Sequence, residues 1–353
     1  MMQPKTILVA PLHWGLGHAT RCIPIINALL TYNFKVIIAS DGAALQLLQK
    51  EFPELTTCKL PSYNIRYPKK ARFFKPMLLL KMPHIIKTIS EEKKQVAKLV
   101  IQHNIEGIIS DNRWGVNHPK IPSVFLTHQL NVLSGTTSKL SSWIHQRLIK
   151  KFTQCWVPDY PGPENLSGIL GHGSTIKLPI VYMGPLSRMV PKQVQKKYDL
   201  LLLLSGPEPQ RSFFETQLIN EFKNDPRTIF MVRGVVEATE IKTQYGNITA
   251  VNFLNTAALE TCINQSELII CRPGYTTIMD LSVLDKKAFF VPTPGQYEQE
   301  YLAKRLEEHG VLPYCSQEYF RKEKIAAIDT YKGFTKNNVD QDFETLFRLF
   351  HSK

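Results

Sequence analysis

Three stretches of this sequence carry side chains whose types and spacing could do chemistry. The first is Pro11 to His18, PLHWGLGH, which follows an apolar run. Gly15 and Gly17 allow a tight turn and close approach of a ligand to the backbone. His18 then falls at a predicted helix N-terminus. The positive end of the helix dipole disfavours imidazolium there and leaves an imidazole able to accept a proton. The same position suits a capping or packing histidine. A dinucleotide fingerprint is a poor fit, because Cys22 and its neighbours supply no third glycine, and Asp41 is only a weak ribose signal.

The second stretch is Ser110 to Gly115, SDNRWG, where Asp111 ends a predicted strand. A carboxylate there is a second candidate base, or a turn-forming Asp. The third is Glu267 to Leu281. A strand ends at Cys271, Arg272 follows, Gly274 makes the turn, and Thr276 and Thr277 open a helix. Backbone N–H groups, two hydroxyls and a helix dipole would converge where a pyrophosphate could sit. Asp280, one turn on, is placed to accept hydrogen bonds from a ribose diol. The next strand ends in Pro292 to Glu300, PTPGQYEQE, whose Gln296, Gln299 and Glu300 suit sugar hydroxyls. The one Asp-x-Asp, Asp340 and Asp342, starts a terminal helix and reads as a cap, so no metal is assigned.

The elements that must position these groups follow from the apolar period. Strand-like and helix-like segments alternate: strands at 6–10, 35–39, 107–110 and 123–127, with helices at 18–30, 42–49 and 91–103. Short buried strands separated by helices mean a parallel α/β sheet. The pattern restarts after the Pro-flanked polar stretch 185–197, with strands at 199–204, 229–232, 267–270 and 288–291. Two doubly wound, Rossmann-like domains in tandem are expected: 1–190, 191–338, and a closing helix within 339–353. Ligands in such sheets bind beyond the carboxyl ends of the strands, where all three stretches lie.

The 353 residues suit two domains, and 43% hydrophobic with 21% charged residues is a globular balance. No apolar run is long enough to span a bilayer as a helix, and the short run before His13 is not a secretion signal. Six scattered cysteines without a C-x-x-C pair read as reduced thiols in a cytoplasmic protein. The net charge of +13 is uneven. Residues 1–190 hold 23 Lys+Arg against 9 Asp+Glu, whereas residues 191–353 hold 20 against 21. The excess peaks between Asn64 and Thr88, where no acid occurs. There Lys69, Lys70, Arg72 and Lys75 are interleaved with Phe73, Phe74, Leu78 and Leu79. Contact with an anionic membrane surface is the favoured reading; a solvated basic loop and a nucleic-acid patch are the others.

Residues 253–303 resemble the donor-binding region of glycosyltransferase family 28, whose best-known member is the bacterial peptidoglycan N-acetylglucosaminyltransferase. The family pattern is met by Phe253-Leu254, Asn255-Thr256, Arg272, Gly274, Thr277, Asp280, Pro292 and Gln299-Glu300. Looser, collinear matches are Gly17-His18, His128 to Asn131, and Gly184 to Arg188. The second Gly-rich loop of the family is replaced by Ser205-Gly206-Pro-Glu-Pro, whose prolines remove donors from a phosphate cradle. Asp280 stands where the family has Glu, and Glu300 where it has Gln.

The resemblance implies a GT-B fold, two Rossmann-like domains facing across a cleft. It implies a nucleotide sugar, most often a UDP-sugar, held by the C-terminal domain. Phe253 and Leu254 would lie near the base, Asp280 on the ribose, and Thr276 and Thr277 near the phosphates. Gly17, Ser205, Gly206, Arg272, Gly274 and Gln296 would complete the donor site, with Gln299 and Glu300 at the sugar and Arg188 approaching from the junction. His18 would be the base, Asp111 its alternative, and Asn112, His128 and Asn131 would line the acceptor side. The implied reaction moves a hexose such as N-acetylglucosamine to an acceptor hydroxyl, inverting and without metal or other cofactor. The basic apolar stretch points to a lipid-linked or cell-envelope glycan acceptor met at the inner face of the cytoplasmic membrane. No nucleic-acid partner is expected. A nucleotide-sugar 2-epimerase of the same fold, and a non-catalytic nucleotide-sugar- or nucleic-acid-binding protein, are the alternatives.

Overall fold

The computed structural model describes residues 3–64, 80–235, 237, 239–335 and 341–351. The chain divides into two compact units. The first comprises residues 1–65, 75–186 and 338–353; the second comprises residues 66–74 and 187–337.

The first unit is built on a seven-stranded parallel sheet. Its strands are β1 (Thr6–Pro11), β2 (Lys35–Ser40), β3 (Thr56–Lys59), β4 (Ile105–Asp111), β5 (Ser123–Leu126), β6 (Gln154–Val157) and β7 (Ile180–Tyr182). Their spatial order is β3-β2-β1-β4-β5-β6-β7. Helices α1 (Gly17–Thr31), α2 (Gly42–Glu51), α3 (Met82–His103) and α4 (Ser138–Ile149) connect them. β1 and β4 are fully buried along most of their length, which is why they read as continuous apolar runs. The strand order reverses between β1 and β4, and the chain leaves β1 at Leu12 and β4 at Asn112 on the same sheet edge. Helix α3 starts earlier than its apolar period suggests. Pro83 lies in the first turn, where the missing N–H costs no intrahelical bond. Strands β3, β6 and β7 were not anticipated; they have three or four residues each, too few to show a period.

Helix α9 (Phe343–His351) closes this unit, not the second. Phe347 and Phe350 are each 1% exposed and pack on Phe34 from the loop before β2 and on Trp156 of β6. Gly107 of β4 makes room for the Phe350 ring, since a Cβ there would sit 2.4 Å from it.

The second unit has a six-stranded sheet of β8 (Tyr198–Leu203), β9 (Ile229–Val232), β10 (Lys242–Tyr245), β11 (Ile248–Val251), β12 (Ser266–Cys271) and β13 (Lys287–Phe290). The order is β10-β11-β9-β8-β12-β13, and all pairs are parallel except the β10–β11 hairpin. Helices α5 (Gln210–Phe222), α6 (Thr256–Asn264), α7 (Tyr275–Leu284) and α8 (Tyr297–Glu308) alternate with the strands. Here the order reverses between β8 and β12. The loops that follow them, at Ser205-Gly206 and Arg272 to Gly274, are therefore neighbours. Leu200, Leu202, Phe214, Phe222, Phe289 and Phe320 form the core beneath.

Candidate functional site

In the first unit a buried polar cluster sits at the reversal of the sheet. Asp111, the last residue of β4, is fully buried. Its Oδ1 lies 2.8 Å from His18 Nδ1 in the first turn of α1. Arg21, one turn further along α1 and 2% exposed, donates from Nε to Asp111 Oδ2 at 2.5 Å and from Nη2 to Oδ1. Arg21 Nη1 lies 3.0 Å from His128 Nδ1, just beyond β5. Burial by itself would raise the Asp111 pKa. Arg21 and His18 outweigh it and hold the carboxyl at about 2. Burial, with a contribution from Arg21, lowers the pKa of His18 despite the raising effect of Asp111. The imidazole is thus neutral at physiological pH and the carboxylate is ionised.

His18 Nδ1 faces both the Asp111 oxygen at 2.8 Å and Arg21 Nη2 at 2.7 Å; with the ionised carboxylate as the partner that only accepts, Nδ1 carries the proton and Nε2 the lone pair. The His18 side chain is 15% exposed. This geometry corrects one expectation: Asp111 is too deeply buried and too weakly basic to take a proton from a substrate. It orients the imidazole. His18 keeps the position of a base.

A second buried network flanks the first. Arg113 donates to Asp41 Oδ1 at 2.7 Å and to Glu92 Oε1 at 2.7 Å, and Tyr63 donates to Glu92 Oε2 at 2.6 Å. Asn112 lies between Asp111 and Arg113 with φ +56°. The αL turn sends its two neighbours into different networks. Asn131, expected to line an acceptor, instead spends its amide on the chain: Nδ2 donates to Ile169 O at 2.7 Å and His172 O at 3.0 Å.

In the second unit Ser205, Phe253, Arg272 and Gln296 follow the carboxyl ends of β8, β11, β12 and β13. Gly274 is the residue before α7 and offers the helix no side-chain cap, so the helix start is shaped by backbone alone. Asp280 is partly buried and accepts from Ser187 Oγ at 2.6 Å. Burial raises its pKa to about 6, against the lowering effects of Ser187 and Arg188. Arg188 Nη1 donates to Thr256 Oγ1 at 2.8 Å at the start of α6, beside the half-buried Phe253 and Leu254. Ser205 and Gly206 are exposed, and Gly206 has φ +105°, a conformation that favours glycine. Thr276 and Thr277 lie in the first turn of α7, both partly buried.

Three side chains expected at the donor are engaged within the chain. Arg272 is 1% exposed, and its guanidinium serves the interior. It donates to Val291 O and Pro292 O, each at 2.8 Å, and to Gln317 Oε1 at 2.6 Å. It also stacks on Phe214 at 4.1 Å. It braces the loops after β12 and β13 and does not present its charge to a ligand. Gln299 Oε1 accepts from Thr293 N, and Glu300 Oε1 from Gly295 N, each at 2.8 Å. Both side chains thus close the turn after β13. The partly buried Gln296 stands just before α8.

Two residues were missed in the sequence. Arg21 lies three residues after His18, a spacing that puts both on one helix face and was legible. Thr293 is 4% exposed and its hydroxyl has no partner among the described residues. A Cβ on Gly206 would stand 3.8 Å from that hydroxyl, so the loops after β8 and β13 meet there. Nothing local marks a threonine between two prolines as buried. The expected membrane contacts Lys69, Lys70, Arg72, Phe73, Phe74, Lys75, Leu78 and Leu79 lie outside the described residues. No described helix is long and apolar enough to cross a membrane.

Comparison with known proteins bears on the second unit most directly. Residues 203–338 match the glycosyltransferase family 28 C-terminal domain. An N-acetylglucosamine transferase of Buchnera aphidicola is 25% identical over 215 residues, acting by its name on N-acetylmuramyl-(pentapeptide) pyrophosphoryl-undecaprenol. That match covers 59% of this chain and 56% of the relative, so the chain spans little more than half of it. An uncharacterized glycosyltransferase of Methanosarcina acetivorans is 22% identical over 325 residues, 84% of this chain and 82% of the relative. Among solved structures, the kitacinnamycin glycotransferase superposes with a TM-score of 0.63 at 13% identity, covering 93% of this chain and 90% of its own. MurG of Acinetobacter baumannii superposes with a TM-score of 0.54 at 15% identity, covering 99% and 92%. At such identities these structures show the fold alone. The chain has the GT-B fold, and residues 203–338 match the family 28 C-terminal domain that the sequence resembles.

Proposed function

We propose that this chain, a family 28-type glycosyltransferase of the GT-B fold, moves a hexose from a UDP-sugar to an acceptor hydroxyl. The observation that carries the reading is the His18–Asp111 pair at 2.8 Å, a neutral imidazole oriented by a buried carboxylate at the sheet reversal. An acceptor O–H approaching Nε2 would give up its proton as the oxygen attacks the anomeric carbon. The bond to the diphosphate breaks as the new glycosidic bond forms, and a single displacement inverts that carbon. The leaving diphosphate needs positive potential, which the start of α7 and Arg188 would supply without a metal. Asp280 would receive the ribose diol. The orphaned hydroxyl of Thr293 would find its partner in a donor oxygen.

N-acetylglucosamine as the sugar, and a lipid-linked acceptor, are the finer reading. The Buchnera relative's name supports it, and so do surface residues beside the basic stretch. Leu80 is 83% exposed and Ile86 62%, next to Lys81 and Lys87. The protein would then work peripherally at the cytoplasmic face of a membrane.

Calorimetric titration with UDP, GDP, dTDP and NAD, followed by UDP-sugars, tests the donor half. Saturable UDP binding, weakened in Asp280→Ala, is expected. Binding of no nucleotide would sink the proposal. Turnover of a UDP-sugar to its epimer without acceptor would replace transfer with 2-epimerisation.

A further inference from the structure

Arg21 joins two histidines through hydrogen bonds that constrain both. A guanidinium carries donors only. Its Nη1 stands 3.0 Å from His128 Nδ1, so that nitrogen must present a lone pair and the His128 proton must sit on Nε2. On its other side the same guanidinium grips Asp111 through Nε and Nη2. Asp111 is fully buried, and a carboxylate in that position would protonate without a cation beside it. A protonated Asp111 would donate to His18 Nδ1. The His18 proton would then move to Nε2, and the ring could no longer accept one there. Arg21 Nη2 also stands 2.7 Å from His18 Nδ1; it carries two hydrogens, one of them on Asp111 Oδ1, and it is the ionised carboxylate oxygen at 2.8 Å that holds the proton on Nδ1.

We propose that Arg21 is a positioning residue that fixes the two histidines in opposite tautomers, His18 with an accepting Nε2 and His128 with a donating Nε2. The groups facing His18 are Asp111 from β4, Arg21 from α1 and His128 from beyond β5. The nearby Cys22 thiol lies 3.7 Å from Asp111 Oδ2 and is kept protonated by burial. Asp111 is thus the only anion among these groups, and Arg21 is the cation that keeps it ionised. The link to catalysis rests on His18 being the base; the tautomer assignment does not.

The test is long-range proton–nitrogen correlation on the full chain labelled with ¹⁵N-histidine. His18→Gln and His128→Gln identify the two signals. The expected wild-type spectrum shows His18 protonated at Nδ1 and His128 at Nε2. In Arg21→Gln, His128 becomes a tautomer mixture and the His18 proton shifts to Nε2, because Asp111 without its cation takes up a proton and donates to Nδ1. With the accepting Nε2 lost, kcat falls while UDP affinity is unchanged. Arg21→Lys keeps the charge but not the fork, and is expected to release His128 while leaving the His18 proton on Nδ1. One shared tautomer in the wild type, or no change at either ring in a folded Arg21 variant, would overturn the proposal. If Arg21→Gln fails to fold, the wild-type spectrum and Arg21→Lys still decide. Opposite tautomers together with full transfer by His18→Gln would leave the proposal standing and remove His18 as base.

Discussion

Ser187 Oγ donates to Asp280 Oδ1 at 2.6 Å, joining the start of the second unit to the middle of α7. The carboxyl is otherwise poorly compensated, and burial lifts its pKa to about 6. An Asp with a raised folded pKa is protonated in the native state at pH values where the unfolded chain is already ionised. A ribose diol donates hydrogen bonds, so it binds best to the ionised carboxylate. Affinity for UDP is therefore expected to rise as pH increases through about 6 and to level off above it. In Asp280→Asn the affinity should be lower and the pH step absent. Calorimetry across this range checks both; a wild-type affinity flat through the step would remove Asp280 from the ribose.

His18 supplies the second prediction. Replacement by Gln keeps a polar side chain but removes the base. General-base catalysis is typically worth about 10²–10⁴-fold, and a loss of that size in kcat is expected with little change in the donor KM. Because burial and Arg21 lower the His18 pKa, the neutral form persists below pH 6.5. The acid limb of the wild-type kcat/KM profile should then lie below 6.5. An acid limb above that value would mean that another group titrates.

The contrast between Arg272 and His18 shows what the sequence could and could not tell. Both were singled out in the turns and helix starts that follow strands, which locates a site in a parallel sheet. Strand ends were readable because buried strands give unbroken apolar runs. Direction was not readable. Arg272 turns inward to four oxygens and the Phe214 ring, and only the tertiary packing decides that. Asp111 shows the same limit: its residue type suited a base, but its burial behind Arg21 made it a support. Gln299 and Glu300 belong to the turn for a local reason, since each closes it onto an N–H five or six residues earlier.

The third prediction concerns α9, which lies at the far end of the sequence from the sheet it completes. Phe347 packs edge-on against Tyr32 and Phe34, with ring centroids at 5.7 and 5.6 Å, and Lys5 Nζ donates to Phe350 O at 3.0 Å. Truncating a buried phenylalanine to Ala typically costs about 3–5 kcal/mol, because the transfer and cavity costs add. Phe347→Ala should lower the urea midpoint of the first unit accordingly and leave UDP binding by the second unit intact. A loss under about 1 kcal/mol would mean that the helix does not dock in solution.

The last prediction addresses the surface. Helix α4 exposes Leu140 (59%) and Trp143 (58%), with Arg147 stacked over Trp143 at 5.6 Å. Lys139, Lys150 and Lys151 lie on or beside it, and no acid falls within residues 112–158. An indole at a headgroup boundary has both its apolar ring and its N–H accommodated, and each cation near an anionic surface adds about 1 kcal/mol. The protein is expected to cosediment with phosphatidylglycerol vesicles, to be released by salt, and to bind phosphatidylcholine vesicles weakly. Trp143→Ser with Leu140→Ser should weaken binding at low salt without altering UDP affinity. If the double variant binds as well as the wild type, α4 is not a contact. Equal binding to both lipids, or none to either, would remove the membrane from the reading and leave a soluble acceptor.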